Sequence, residues 1–288
     1  SHKAISIIEI SYHQCINSSV FELQGKEGEE MTEDIKIYIA THKSFTPPKN
    51  DIYIPLQVGA EGKKDLGYLK DNTGDNISSM NPYYCELTGM YWMWKNISAD
   101  IIGLVHYRRY FYDKYIFSDP KKILDKKTIQ NMMSKYDVIV AQRGYTWFNK
   151  VGPRYGKYLP EGKSDMRITE KAVKTVTPEY ANAFDTVMNS NHYSQFNMMI
   201  CRKDVFDAYC EWLFAVLKYV EEHLEIPLSE REAYNARVFG FLSERLLNVW
   251  LVKHSELKVK ELPVLNTEES IGKQKLESCF KKVLKGVL

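Results

Sequence analysis

The chain has 288 residues and a mass of 33.6 kDa, enough for one large domain or two small ones with buried cores. Its 39 Lys and Arg residues nearly balance its 37 Asp and Glu residues, and this net charge of +2 excludes binding of nucleic acid through overall charge. An excess of tyrosine, 20 residues, suits a surface that binds sugars or nucleobases, although large cores also use tyrosine.

The cysteines are widely separated in the sequence, and none forms a CxxC pair or a Cys/His cluster with metal-ligand spacing. Such cysteines are typical of reduced thiols in a cytosolic protein. No apolar run approaches the ~20 residues that span a bilayer, and the first residues lack the features of a signal peptide. We therefore expect a cytoplasmic protein.

Residues 1–30 end in a polar, acidic stretch, and a strand-like pattern follows Met31. We interpret 1–30 as an N-terminal extension or an added leader and expect a single domain over 31–268. The alternative, in which Ile5–Ile10 is an ordinary strand of the sheet, stays open.

The first strand of the domain is predicted at Ile35–Ala40, which is rich in β-branched residues. It is followed at once by the polar residues Thr41 and His42. In an open α/β sheet the carboxyl ends of the strands form the edge at which ligands bind. Both residues are thus candidates for a ligand site.

Residues 44–82 are rich in Gly and Pro, and we predict a long irregular segment there rather than a helix. It contains the sequence DNTGDN, in which Asp75 and Asn76 offer a carboxylate and an amide. This set could contact a nucleobase or ribose, hold a divalent ion through its oxygens, or be a surface turn.

A helix is predicted over 83–96, with Asn81-Pro82 at its start, and a strand buried on both faces over 100–105. That strand ends abruptly in His106-Tyr107-Arg108-Arg109-Tyr110. Adjacent arginines beside a buried strand are costly unless an anion such as a diphosphate, or acidic partners within the protein, neutralise them. If the strand continues, its alternation points Arg108 and Arg109 to opposite faces, so one would meet a ligand and the other an acidic residue.

The remaining pattern alternates between helices and strands. Helices are predicted at 122–135, 169–189, 204–223 and 233–253, strands at 136–141, 196–201 and 259–263, and a second long loop at 144–165. This alternation predicts an α/β fold with a largely parallel or mixed central sheet flanked by helices.

Glu244 and Arg245 lie in the apolar helix predicted at 233–253. They are either a buried structural pair or an active-site carboxylate with a raised pKa beside its arginine. The residue pattern alone leaves both possibilities open.

The last segment, 269–288, has the pattern of a basic amphipathic helix, with apolar residues on one face and lysines on the other. This pattern is typical of a helix that lies on a membrane surface. A terminal helix docked on the core with solvated lysines would have the same pattern.

Seven segments, taken in chain order, carry a family resemblance: IKIYIATHK, DIYIPLQVGA, LGYLKDNTGDNIS, NPYYCELTGMYWMWKN, IGLVHYRRYF, FNMMICRKDVFDAYCEWLF and ARVFGFLSERLLNVW. Together they resemble a bacterial domain family of capsular and exopolysaccharide biosynthesis proteins, regarded as glycosyltransferases, of which some are associated with galactofuranose transfer. The resemblance extends from about Ile35 to Asn266.

This resemblance implies a GT-A-like, Rossmann-like fold in which the donor nucleotide lies at the carboxyl ends of the first strands. The expected nucleoside contacts are Thr41, His42, Asp75 and Asn76. Tyr107, Arg108 and Arg109 occupy the place where many GT-A enzymes have a DxD metal site. Since this sequence has no DxD there, we expect arginine to balance the departing diphosphate, and a Mn or Mg requirement stays open.

We expect an inverting enzyme, which needs a base for the proton of the acceptor hydroxyl; a retaining enzyme, which needs no base at that position, is the alternative. Glu244 is the first candidate, since it falls near where GT-A folds often place the base, with Asp137 second and His106 third. Asn197, in the segment that resembles the acceptor-side strand, and Tyr155, in the loop 144–165, are expected to contact the acceptor.

The predicted function is transfer of a sugar, possibly galactofuranose, from a UDP-sugar to a lipid-linked capsular or exopolysaccharide intermediate. The enzyme would be peripheral on the inner face of the bacterial plasma membrane and bind it through 270–288. The alternatives are a nucleotide-sugar hydrolase or phosphotransferase, and a non-catalytic glycan-binding module.

Overall fold

The fold is that of a computed structural model, which describes residues 33–113, 123–146 and 149–268. The chain divides into two units, 1–33 and 34–288, and almost all described residues belong to the second. The predicted extension 1–30 and the predicted basic helix 269–288 lie outside the described residues, so both stay predictions. None of the described helices is long and apolar enough to cross a membrane.

The described strands are short. They are β1 (Ile35–Thr41), β2 (Tyr53–Gln57), β3 (Leu69–Lys70), β4 (Ile101–His106), β5 (Arg109–Phe111), β6 (Val138–Ala141), β7 (Gly144–Tyr145), β8 (His192–Tyr193), β9 (Met199–Arg202), β10 (Val259–Leu262) and β11 (Val264–Asn266).

The described helices are α1 (Asn81–Tyr84), α2 (Leu87–Asn96), α3 (Lys126–Met133), α4 (Val151–Tyr158), α5 (Gly162–Val176), α6 (Ala181–Met188), α7 (Lys203–Glu222) and α8 (Val238–Lys253). Single 3-10 turns lie at Ser78–Met80, Pro178–Tyr180 and Leu228–Glu230.

The main sheet has the strand order β10-β6-β9-β4-β1-β2-β3. All neighbours are parallel except β9, which runs antiparallel to both β4 and β6. The short strands β5 and β11 pair antiparallel beside the end of β4. The predicted α/β fold with a mixed sheet is therefore confirmed.

Both faces of the sheet are covered, as the near-continuous apolar runs of its central strands require. In β1, Tyr38 and Ala40 belong to one hydrophobic cluster, whereas Ile37 and Ile39 belong to another on the opposite face. The first cluster is completed by α7 and α8, and the second includes Ile129 of α3. The fold thus has three layers with the sheet in the middle.

The sequence prediction was wrong for the segment 44–82, because β2 lies within it and pairs with β1. Pro55 in the middle of β2 disguises the strand. The neighbouring β3 pairs only with Leu56 and Gln57, so Pro55 lies where its missing N–H costs no ladder hydrogen bond.

The prediction of a long loop at 144–165 is also wrong, since α4 and the start of α5 lie there. Pro153 sits in the first turn of α4, where its missing N–H has no intrahelical partner to lose. Gly162 is needed because a Cβ there would lie 2.7 Å from the Tyr155 carbonyl oxygen. In the sequence, such glycines look the same as the glycines of a loop. In the structure they allow two helices to approach each other closely.

Three predicted helices differ from the structure. The helix predicted over 83–96 is divided into α1 and α2 at Cys85, whose φ is 53°. The helix predicted at 169–189 is divided into α5 and α6 by the turn at Pro178–Tyr180, because Pro178 cannot continue α5. The helix predicted at 233–253 begins only at Val238. The segment before it, 226–237, contains only the 3-10 turn at Leu228–Glu230 and lines the candidate active site.

The connections around β1 place a crevice in the sheet. From β1 the chain moves to β2 on one side, whereas β4 lies on the other side of β1. The connections from β1 and β4 therefore leave in opposite directions, which opens a crevice at the carboxyl ends of these two strands. Because β9 is antiparallel, its first residues arrive at the same edge.

Candidate active site

A pocket of about 820 Å³ lies at this edge of the sheet. Its floor includes Thr41 and His42 after β1 and His106 at the end of β4. The lining also includes residues of α8 and of the segment 226–237. This volume lies in the range of small-molecule sites, ~300–1,000 Å³.

The arginine pair follows β4 in a tight turn. His106 pairs directly with Arg109 across an antiparallel hairpin, so Tyr107 and Arg108 form its two-residue turn. A strand alternation does not continue through such a turn. As a result Tyr107, Arg108 and Arg109 all line the pocket, so the predicted placement of the arginines on opposite faces is wrong, whereas the acidic partner predicted for one of them is found for Arg108.

The two guanidinium groups have different surroundings. Arg108 forms an ion pair with Glu268 at 2.9 Å, while Arg109 lies over the Phe196 ring, 4.6 Å from its centroid. Within the described part of the chain Arg109 forms no ion pair. Of these two arginines, Arg109 therefore has the greater capacity for an anionic ligand.

Two histidines lie beside these arginines. The His42 ring meets the Tyr107 ring edge-on with centroids 5.5 Å apart, and burial, followed by nearby Lys43 and Arg108, lowers the pKa of His42. Burial also lowers the pKa of His106, whose Nε2 has no hydrogen-bond partner among the described residues. Both rings are therefore neutral near pH 7 and can accept or donate a hydrogen bond.

Glu244 faces the pocket from α8. Its Oε1 accepts a hydrogen bond from the Phe196 backbone N–H at 3.1 Å. Burial is the largest cause that raises the pKa of Glu244 to about 6, with Arg245 opposing it and the nearby Glu86 adding to it. A carboxylate with this pKa is ionised at neutral pH and still basic enough to take a proton.

Arg245 is not the pocket partner of Glu244. It is buried, donates to the Phe241 carbonyl oxygen at 2.7 Å, and lies over the rings of Tyr155 and Tyr193. Adjacent positions on a helix point about 100° apart, so one side chain reaches the pocket and the other the core. Of the two arrangements left open by the sequence, the structure therefore has the one in which Glu244 lines the pocket and does not form a buried pair with Arg245.

A second carboxylate, Glu86, lines the pocket just before α2. Its Oε1 accepts a hydrogen bond from Asn197 Nδ2 at 2.8 Å, and the same nitrogen is 3.0 Å from the Gly240 carbonyl oxygen of α8. Asn197 is buried and does not line the pocket, so it positions Glu86 rather than contacting a ligand.

Strained backbone is concentrated around this pocket. Among the described residues other than glycine, positive φ occurs at Cys85 (53°), Phe196 (78°) and Asn197 (51°). Cys85 and Phe196 line the pocket, and Asn197 supports it. Each such residue costs about 1–3 kcal/mol and persists only where the surroundings hold it. This concentration supports a functional role for the site.

The segment 226–237 is fixed to the domain by a buried ion pair. Arg231 donates to both carboxylate oxygens of Asp165 in α5 at 2.8 and 2.9 Å, and neither side chain is exposed by more than 1%. A bidentate pair of this kind specifies geometry as well as charge. It holds the pocket wall against α5.

We expect Asp165→Asn to lower the free energy of unfolding by about 3–5 kcal/mol, because the Arg231 charge stays buried without its counter-ion. Urea denaturation followed by circular dichroism measures this. Asp185→Asn, at an exposed position on α6, is the matched control and should leave the midpoint unchanged. Equal midpoints for the two variants would contradict the assigned role.

Besides Asn197, the structure places four predicted site residues outside the pocket. Asp75 accepts a hydrogen bond from the Tyr91 hydroxyl at 3.1 Å, and Asn76 donates to the Gly74 carbonyl oxygen at 3.0 Å, so both stabilise their own loop. The buried residue of that loop is Asp71, which accepts from the backbone N–H groups of Gly59 and Ala60. The predicted nucleoside contacts of Asp75 and Asn76 are therefore corrected.

Asp137 and Tyr155 are the other two. Asp137 accepts from Arg202 at 3.0 Å and from the Lys258 N–H at 2.8 Å, at the amino end of β6. Tyr155 is 2% exposed in the core, 3.4 Å from Asp165 Oδ2. Asp137 therefore cannot act as the base in this pocket, and Tyr155 cannot contact the acceptor there.

Among the described residues, no group of three or more His, Cys, Asp and Glu side chains is arranged to hold a metal ion. The turn after β4 corresponds to the position of the DxD metal site in many GT-A enzymes. Here it carries the guanidinium groups of Arg108 and Arg109. Guanidinium groups do not ligate divalent cations. The side chains at the end of β4 therefore do not fit such an ion.

Three comparisons place the chain among known proteins. A family model described as a domain of unknown function (DUF4422) matches residues 36–255. The solved apo structure of the WbbM bifunctional glycosyltransferase is similar, with a TM-score of 0.75 and 32% sequence identity. That match covers 82% of this chain and 46% of the WbbM chain, so this chain spans less than half of that protein. No curated protein matched. The mixed sheet and its flanking helices thus have the GT-A-like fold of a glycosyltransferase.

Proposed function

We infer that this chain, which belongs to the DUF4422 family and has a glycosyltransferase as its structural relative, transfers a sugar from a nucleotide-sugar donor to a hydroxyl group. One observation carries the inference: a single pocket is lined by Arg109, just after β4, and by Glu244 of α8, whose pKa is raised to about 6. A transferase that inverts the anomeric centre needs these two charges on opposite sides of the reacting carbon.

The donor proposed is a UDP-sugar. Its diphosphate lies against Arg109, with Arg108 and His106 beside it at the end of β4. Thr41, His42 and Tyr107 form the adjoining floor at the end of β1, and this floor is proposed to take the nucleoside. The Tyr107 and His42 rings offer flat faces and polar atoms suited to a base and a ribose.

The proposed reaction is a single displacement. The acceptor oxygen attacks the anomeric carbon from the face opposite the diphosphate, and a new C–O bond forms as the bond to the diphosphate oxygen breaks. Glu244 takes the proton of the acceptor hydroxyl. The electron pair of the broken bond leaves on the diphosphate, where Arg109 stabilises the charge.

Calorimetry with UDP tests the donor site. We expect a dissociation constant within the range typical of enzyme substrates, ~1 μM to 1 mM, both with and without added Mn²⁺. A non-catalytic glycan-binding module would have no affinity for UDP, and the absence of UDP binding would overturn the proposal. Product analysis with and without acceptor glycan separates transfer from hydrolysis of the nucleotide-sugar.

A lipid-linked capsular or exopolysaccharide acceptor, galactofuranose as the transferred sugar, and contact with the inner membrane face are finer proposals. They rest on the family resemblance and on the basic pattern of 270–288. Deletion of 270–288 should weaken binding to anionic liposomes, and unchanged binding would remove the membrane proposal.

A further inference from the structure

The pocket-facing side of α8 carries more than the proposed base. Arg237, which precedes α8, Phe241 and Glu244 are spaced i, i+4 and i+7, so they share one face of the helix. All three line the pocket. The step from Phe241 to Glu244 rises about 4.5 Å along the helix axis. An aromatic ring therefore lies one helical turn from the carboxylate.

Tyr234 extends this face out of the pocket. It is 61% exposed, the most exposed large apolar or aromatic side chain among the described residues. Its ring centroid lies 5.3 Å from that of Phe241, and the Arg237 guanidinium carbon is 5.9 and 5.5 Å from the two centroids. The three side chains form one continuous surface, which we name the aromatic platform.

We propose that the aromatic platform, Tyr234, Arg237 and Phe241, is an acceptor subsite that binds a sugar ring. The apolar C–H face of the sugar would pack on the Tyr234 and Phe241 rings. Its hydroxyl groups would accept hydrogen bonds from the Arg237 guanidinium group. They would also donate a hydrogen bond to the Tyr234 hydroxyl or accept one from it. This inference rests on the proposed function, since it assigns the acceptor side of the same pocket.

The position of the platform favours the acceptor over the donor. The cations proposed for the diphosphate, Arg108 and Arg109, follow β4, whereas the platform shares α8 and the segment before it with Glu244. A sugar that packs on Phe241 has hydroxyl groups within about one helical turn of Glu244. Ion pairing also holds this part of the pocket wall in place, because Arg231 anchors the segment 226–237 that carries Tyr234.

Saturation-transfer NMR on the full chain, with methyl glycosides of galactose, glucose and mannose as probes, tests the subsite. We expect at least one glycoside to receive saturation, and Tyr234→Ala to weaken its binding roughly tenfold. Tyr234→Phe, which keeps the ring, should bind within about twofold of the original chain. Tyr136→Ala is the matched control, since Lys260 lies 5.2 Å over that ring outside the pocket.

Calorimetry with UDP separates the two proposals. Binding of UDP should be the same for Tyr234→Ala and the original chain. If Tyr234→Ala weakens UDP binding, the platform belongs to the donor and the inference fails. Absence of saturation for every glycoside, or equal glycoside binding by Tyr234→Ala, would also overturn it. Absence of UDP binding by the original chain instead contradicts the proposed function and leaves the glycoside result to judge the subsite.

Discussion

Arg109→Ala should lower kcat for sugar transfer by roughly 10²–10³, the cost of removing one group that stabilises charge developing on a leaving atom. The reason is its position: Arg109 lies in the pocket over the Phe196 ring, and no described carboxylate forms an ion pair with it. The UDP affinity should fall as well, because the product diphosphate carries the same charge. Initial rates at saturating donor, together with calorimetry, measure both effects.

Two variants control this result. Arg108→Ala should have the smaller effect, since Arg108 already balances Glu268 at 2.9 Å. Arg143→Ala removes an exposed arginine that pairs with Glu261 outside the pocket, and its rate should equal that of the original chain. A folded Arg109→Ala variant with an unchanged kcat and UDP affinity would remove Arg109 from the diphosphate site.

The part of the site that follows the strands could be predicted from the sequence. Apolar runs with abrupt polar ends mark β1 and β4, and parallel strands bring their carboxyl ends together. That reasoning finds Thr41, His42 and the residues 106–109, all of which line the pocket. It does not exclude Asp137, because the predicted strand 136–141 contains that residue; the observed strand begins at Val138, which puts Asp137 at the opposite edge of the sheet.

The helical wall could be predicted only in part. Glu244 is visible as a charge within an apolar helix, but the choice between it and Arg245 depends on which side of α8 meets the sheet edge. Once Glu244 is placed in the pocket, the i, i+4, i+7 spacing also brings in Phe241 and Arg237. Glu86 carries no such signal, because Asn197 positions it through a contact across 111 residues of sequence.

Asp75 and Tyr155 show the limit of reading residue type without tertiary contacts. A loop rich in Asp and Asn has the same composition whether its oxygens face a ligand or its own backbone, and only Asp71 of that loop is buried. Tyr155 lies in a segment whose glycines and proline resemble a loop, yet they permit α4 and α5 to pack closely. Apolar runs with polar ends mark strands in a sequence, whereas the close approach of two helices leaves no comparable signal.

Glu244→Gln should lower kcat by roughly 10²–10⁴, the contribution typical of a positioned general base. Glutamine has nearly the same shape, and its Oε1 can still accept the hydrogen bond from the Phe196 N–H. The fold and the UDP affinity should therefore be unchanged while the proton acceptor is lost. Sugar transfer near the original rate would show that Glu244 is not the base.

The pH dependence gives a second, independent measure of the same assignment. A base must be deprotonated to act, so kcat/KM of the original chain should fall as the pH drops through about 6, the pKa of buried Glu244. Glu244→Gln should lack this acidic limb. Glu86→Gln removes a neighbouring negative charge that raises the pKa of Glu244, so its limb should move to lower pH. Arg109→Ala removes a positive neighbour and should move the limb to higher pH. Opposite displacements in these two variants are expected for a titrating group that is near both charges, as Glu244 is, and the loss of the limb in Glu244→Gln assigns it to that residue.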